Sequence, residues 1–193
     1  MPRGTVVIGV GGSGRGVLNY LKRALEQEYG SPEEAGVVLY CIDGPESDQY
    51  VLPGGYQIDT SPQSREFYHL RDNPANAIEA IAKGQPFAYV DPWLTLEEAR
   101  RVPTAGIDPS AGFGGQRVPG RVTLFLEISR LQPALQNVIT IARGLVPAGN
   151  RVTIVLVGSQ SGGTGAGLLL DVAHLLHALK GNDWLIGVVL LPN

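Results

Sequence analysis

The sequence predicts a three-layer α/β fold in which a mainly parallel sheet is flanked by helices. Two apolar runs of strand length, Thr5 to Ile8 and Val152 to Val157, each give way to a glycine-rich turn and then to residues of helical period. A third run, Gly36 to Ile42, ends on Asp43, which places an acidic side chain at the carboxyl edge of the sheet, where open α/β folds bind ligands.

In chain order, Thr5-Val6-Val7-Ile8 reads as the first strand, and Gly9 to Gly16 as the turn that follows it. Val17, Leu18, Leu21 and Leu25 then recur at helical spacing, with Lys22, Arg23, Glu26 and Glu28 on the other face and Gly30-Ser31-Pro32 as the stop. From Pro45 to about Pro109 the chain is rich in proline and scattered polar residues. Short helices are expected there at Ser64 to Leu70, Asn73 to Lys83 and Leu94 to Val102. Phe67, Phe87, Tyr89 and Trp93 are expected to pack this segment, with an aromatic ligand platform as the alternative. A second glycine loop, Gly106 to Arg117, leads through Pro119-Gly120-Arg121 into a long helix from Val122 to Ile141, bent at Pro133. Val152 to Val157 is the next strand, Leu168 to Leu176 the next helix, and Trp184 to Leu191 the last strand.

Composition excludes several classes. The net charge of -3 and the lack of a Lys/Arg cluster interleaved with aromatics argue against a nucleic-acid partner. The apolar runs are interrupted before they reach the ~18 residues of a membrane span, so no membrane partner is expected. With no leader pattern at Met1-Pro2-Arg3-Gly4 and one cysteine, Cys41, expected in the core, a cytoplasmic protein follows. His69, His174 and His177 form no metal-ligand pattern.

Chemistry is concentrated in the glycine turns. Ser161-Gly162-Gly163-Thr164-Gly165-Ala166-Gly167 has four glycines among seven residues and lies between a strand and a helix. A helix N-terminus carries unpaired N–H groups at the positive end of its dipole, so such a turn suits a phosphate. Thr164 either donates to a phosphate oxygen or caps the helix. Gly9, Gly11 and Gly14 satisfy G-x-G-x-x-G, the Rossmann dinucleotide fingerprint. Asp43 then has three readings: acceptor for a ribose hydroxyl, neighbour of phosphates and Mg2+, or a turn aspartate before Gly44. Arg117 and Arg121 either reach a terminal phosphate or stand solvated. No glycine loop continues into Gly-Lys-Ser or Gly-Lys-Thr, which argues against a Walker-type ATPase.

Ser161 to Gly167 matches the tubulin signature, small-Gly-Gly-Thr-Gly-small-Gly, at every position, and Gly9-Val10-Gly11-Gly12 resembles the first loop of the bacterial homologue FtsZ. Cys41-Ile42-Asp43 falls where FtsZ-like proteins carry a motif ending in aspartate, and Ala111 to Gly115 resembles their γ-phosphate segment. The resemblance implies a Rossmann-like tubulin/FtsZ nucleotide-binding fold that takes GTP or GDP, with Mg2+ held through the phosphates. By position, Gly11, Gly12 and Ser13 would approach the α-phosphate, Gly162, Gly163, Thr164 and Gly165 would cradle the α and β phosphates, and Gly112, Gly114 and Gly115 would approach the γ-phosphate. Gly16 stands where FtsZ has an asparagine near the guanine, and Cys41 replaces a polar residue, so base selectivity is left open.

The resemblance further implies one tubulin-like nucleotide-binding domain over residues 1–193, with an insertion at about 45–109 and the C-terminal half of the family's fold absent. The ribose contacts, the base-reading helix and the acidic loop that activates water on a neighbouring subunit's nucleotide would follow the last strand. No catalytic residue is therefore assigned; GTPase activity and self-association would belong to the full-length protein, and this chain alone would be inactive. An NAD(P)-dependent oxidoreductase and a non-hydrolysing scaffold of the same fold are the alternatives.

Overall fold

The structure, a computed structural model, describes residues 4–44, 52–61, 63–90 and 92–191. Met1 to Arg3, Pro45 to Val51, where an insertion is expected to start, Pro62, Asp91 and Pro192-Asn193 lie outside these. The elements are β1 (Thr5–Val10), α1 (Gly11–Tyr29), β2 (Val37–Asp43), β3 (Phe67–His69), α2 (Ala75–Ala82), α3 (Leu96–Arg101), α4 (Arg117–Gly144), β4 (Thr153–Ser159), α5 (Gly163–Leu179) and β5 (Trp184–Leu190).

All strand pairs are parallel, in the order β3-β2-β1-β4-β5. The strands β1, β2 and β4 are largely buried, which is why they appear in the sequence as continuous apolar runs, whereas the edge strand β5 is mostly exposed. Alternation along β1 sorts the two sides. Val6, Ile8 and Val10 pack with Leu124 and Leu135 of α4 and Leu168 and Val172 of α5, whereas Val7 packs with Leu18 of α1 and with Leu39 and Cys41 of β2. Helices thus cover both faces, as the three-layer expectation requires.

The strand order has one decisive property. After β1 the chain moves outward through β2 and β3, then returns to lay β4 on the other side of β1. The β1–α1 and β4–α5 turns therefore diverge from neighbouring strands at the switch point, where the carboxyl ends leave a crevice.

Three sequence expectations change. Ser64 to Leu70 is not helical: Phe67–His69 is an edge strand beside Cys41–Asp43, secured as the Cys41 amide donates to Glu66 O (2.8 Å) and the Leu70 amide to Asp43 O (2.9 Å). Pairing with an open sheet edge outweighs the local helical pattern, and Phe67-Tyr68 suits a strand. Second, α1 and α5 begin inside the glycine turns, at Gly11 and Gly163, so most of these glycines occupy the first helical turns. Third, α4 begins at Arg117, ahead of Val122, and continues to Gly144 with Pro133 inside it.

The expected helices at 73–83 and 94–102 appear as α2 and α3. Their residues Ile78, Ile81 and Ala99 form a satellite core with Val90, Leu94 and Val122 of α4. Phe67 is buried, Phe87 joins the satellite core, and Trp93 meets Phe125 at 5.9 Å between ring centres. Tyr89 is exposed, with φ of 69°. A capping box starts α3: the Glu98 amide donates to Thr95 Oγ1 (3.2 Å) and the Thr95 amide to Glu98 Oε2 (2.9 Å). Thr95→Ala is expected to lower stability by about 1 kcal/mol in urea denaturation, because an orphan helix N–H loses its acceptor.

Candidate functional site

The N-termini of α1 and α5 open on one cleft of about 200 Å3 at the switch point. Neither helix has a side-chain cap at its N-terminus, and neither has an acidic residue in its first turn. Their orphan amides and positive dipole ends consequently remain available to an anion. Thr164 is not the cap: Gly162 occupies that position, and Thr164 lies one residue into α5, buried on the cleft wall.

The structure brings Gly11, Gly12, Ser13, Asp43, Gly112, Gly162, Gly163, Thr164 and Gly165 together on the cleft wall. Gly114 lines a second cavity of about 130 Å3, which shares Gly112 with the first. Gly115 lines neither. Ser161 is exposed and does not line the cleft; its hydroxyl is 2.7 Å from that of Ser159, and its amide donates to Ser159 Oγ. Arg117 stands beside the cleft and donates from Nη2 to Gln160 O (3.1 Å), fastening α4 to the β4–α5 turn. Arg121 does not line the cleft and, with 34% of its side chain exposed, is paired rather than free. It donates to both carboxylate oxygens of Asp171 (2.7 and 2.9 Å) and lies 4.1 Å from the Trp93 ring centre.

The glycines serve contacts between chain segments more than their spacing suggests. A Cβ on Gly11, which has φ of +70°, would lie 2.7 Å from the Gly165 amide nitrogen. One on Gly165 would meet Ser159 O at 2.8 Å, one on Gly163 Phe113 Cβ at 2.8 Å, and one on Gly167 Arg117 O at 2.7 Å. Gly162 alone in the signature has open space where a Cβ would stand. Most signature glycines thus let two helix N-termini, β4 and α4 approach closely, and the cleft results from that approach.

Asp43 supplies the site's unusual electrostatics. It is 1% exposed, its Oδ1 accepts from the Gly44 amide (2.9 Å), and its Oδ2 has no hydrogen-bond partner. Burial pushes its pKa up to about 6, against the opposing pull of the Gly44 amide, the Thr164 hydroxyl and the Arg15 guanidinium. A buried carboxylate oxygen without a donor, beside amides suited to an anion, fits a hard cation bridging protein and phosphate. Among the described residues no three His, Cys, Asp or Glu side chains cluster as a metal site. Such a cation would draw most of its ligands from phosphate and water, as Mg2+ commonly does.

Arg15 escaped the sequence reading. It is fully buried in α1, its guanidinium 5.4 Å from the Phe67 ring centre and close enough to Asp43 to lower its pKa. Helical spacing contained the signal, because residues 11, 14, 15 and 18 share the inward face. Ser159 and Ala111 also line the cleft.

A family model described as tubulin-like matches residues 6–193. No curated protein matches the sequence. Among solved structures, CetZ from Methanosaeta thermophila strain DSM 6194 is similar in fold, with a TM-score of 0.56 and 15% sequence identity over 98% of this chain. This chain spans 37% of the length of that structure.

Proposed function

This chain belongs to the tubulin-like family, and on that premise we propose that its switch-point cleft binds the phosphates of a guanine nucleotide together with Mg2+. The observation that carries the reading is the convergence of two uncapped helix N-termini on one cleft that also holds a buried, half-partnered carboxylate. The α1 and α5 amides hold the phosphate oxygens, with hydroxyl donors offered by Thr164 on the buried wall and by the exposed Ser13. Asp43 would be the protein side chain that holds a Mg2+ ion, which would supply neutralisation of phosphate charge. Gly112 brings the loop before α4 to the same wall, where a terminal phosphate would reach it.

Hydrolysis and self-association are proposed only as activities that a full-length member of the family would have. An in-line water requires a positioning group, and no residue of this chain is assigned that part. The burial of Asp43 against Thr164 favours a phosphate and cation role over the ribose contact of an oxidoreductase.

Calorimetric titration tests the reading. Inorganic triphosphate and GTP are expected to bind in the presence of Mg2+ and more weakly after chelation, whereas NAD is expected not to compete. Preferential NAD binding would support the oxidoreductase, and failure of triphosphate, GTP and NAD alike would leave a nucleotide-free scaffold.

A further inference from the structure

The loop between the α2–α3 insertion and α4 reaches the cleft through Ala111 and Gly112. Its backbone has little stiffness of its own: Gly106, Gly112, Gly114 and Gly115 hold φ values of 77°, 83°, 53° and 81°. A Cβ on Gly106, Gly114 or Gly115 would meet nothing within 4 Å, so packing does not clamp those positions. Contacts with other segments set where the loop lies. On the cleft side a Cβ on Gly44 would collide with the Pro109 carbonyl, so Pro109 rests on the residue that follows Asp43. On the insertion side, Asn73 donates from Nδ2 to Ile107 O (2.7 Å).

The backbone that presents Asn73 is held by α4. Glu127, 1% exposed, accepts from the Arg71 amide (2.5 Å) and the Asp72 amide (2.8 Å). Both bonds are charge-assisted, which makes the buried carboxylate a strong anchor for the chain just before Asn73. The Asn73 side chain then makes two contacts. Its Oδ1 accepts from the Ala75 amide (2.9 Å) and starts α2, while its Nδ2 faces the loop. One side-chain amide thus joins the start of the insertion to the loop that completes the cleft.

We infer that Asn73 is a positioning residue for the cleft, holding the Ile107 carbonyl so that Ala111 and Gly112 stand where a terminal phosphate would reach them. This rests on the phosphate reading of the cleft. The α1 and α5 amides serve two phosphates and only a third extends to the loop, so Asn73 acts on the preference for a triphosphate over a diphosphate. Without the tether the loop visits positions away from the wall, and affinity for the longer ligand falls with the fraction of molecules whose loop is in place. The α2–α3 insertion thereby contributes to the chain-length selectivity of a cleft that it does not line.

Calorimetric titrations with inorganic triphosphate and pyrophosphate in Mg2+ compare the full chain with Asn73→Asp and Thr95→Ala, each checked for folding by its urea midpoint. Asn73→Asp keeps an oxygen for the Ala75 amide but turns a second oxygen toward Ile107 O, so the tether is lost while the start of α2 is kept. It is expected to weaken triphosphate about threefold to tenfold, the worth of one hydrogen bond, and to leave pyrophosphate unchanged. Asn73→Ser, whose hydroxyl accepts from Ala75 but is too short to reach Ile107, gives the same result and serves in place of an aspartate variant that does not fold. Thr95→Ala loosens the start of α3 without touching the tether and keeps both affinities. If folded Asn73 variants bind triphosphate like the unmodified chain, or lose both ligands equally, the positioning role is wrong while the phosphate cleft stands. Equal binding of triphosphate and pyrophosphate by the unmodified chain, or a like loss of triphosphate affinity in Thr95→Ala, also overturns it. If neither ligand binds the unmodified chain, the cleft reading falls and the role of Asn73 falls with it.

Discussion

Gly11→Ala is expected to destabilise the chain by about 3 kcal/mol and to abolish phosphate binding in whatever fraction stays folded. Two effects add. Alanine at φ of +70° adopts a conformation that costs about 1–2 kcal/mol, and its Cβ would stand 2.7 Å from the Gly165 nitrogen. That neighbour is backbone held in α5, so relief requires separating two helix N-termini, at the ~1–3 kcal/mol typical of overpacking. Reduced freedom of the unfolded chain offsets only about 0.4–1 kcal/mol. Gly162→Ala is the informative control. Its Cβ enters open space, so it should cost less than about 1 kcal/mol, that of a weaker N-cap, while crowding the cleft. Urea midpoints together with triphosphate titration check both. A Gly11→Ala protein as stable as Gly162→Ala would refute the close crossing of α1 and α5.

Asp43→Asn is expected to stabilise the free chain above pH 6 and to remove the Mg2+-dependent part of phosphate affinity. The folded state raises the Asp43 pKa from 3.8 to about 6, so it holds the proton more tightly than the unfolded chain. Stability from this group is complete below about pH 4, declines as pH rises toward 6, and is lost above it. With about 1.4 kcal/mol per pH unit, the wild type forfeits ~3 kcal/mol by pH 7, and the asparagine variant does not. The side-chain oxygen of the substituted asparagine can still accept from the Gly44 amide. Denaturation curves of both proteins between pH 4 and 8 should diverge as pH rises; parallel curves would show that Asp43 carries no desolvation penalty.

Much of the site was visible because its signals are local. Ser161 to Gly167 and Gly9 to Gly16 stand out as glycine turns bounded by runs of different period, and Asp43 stands out as a carboxylate ending an apolar strand. What the glycines do was not visible. Their number suggested a backbone opened to an anion, yet Gly163, Gly165 and Gly167 are short of space because the loop before α4, β4 and α4 press against them. Phe67–His69 was misread for a related reason: a three-residue strand has little periodicity of its own and exists through β2. Arg15 was hidden among small residues, since a buried guanidinium makes sense only once Phe67 and Asp43 are beside it.

The sequence by itself determined the alternation of strands and helices, the parallel sheet and the position of two glycine turns, Gly9 to Gly16 and Ser161 to Gly167, at a strand's carboxyl end. Those follow from side-chain periodicity and backbone freedom, which are properties of the chain over a few residues. Only the tertiary structure decided that β1 lies between β2 and β4, that Gly11 meets Gly165, and that Asp43 is enclosed with one oxygen unpartnered. One helix N-terminus is a weak and common anion site. Two such ends, brought together through about 150 residues of intervening chain, sum their fields in one low-dielectric cleft, and no local pattern records that meeting.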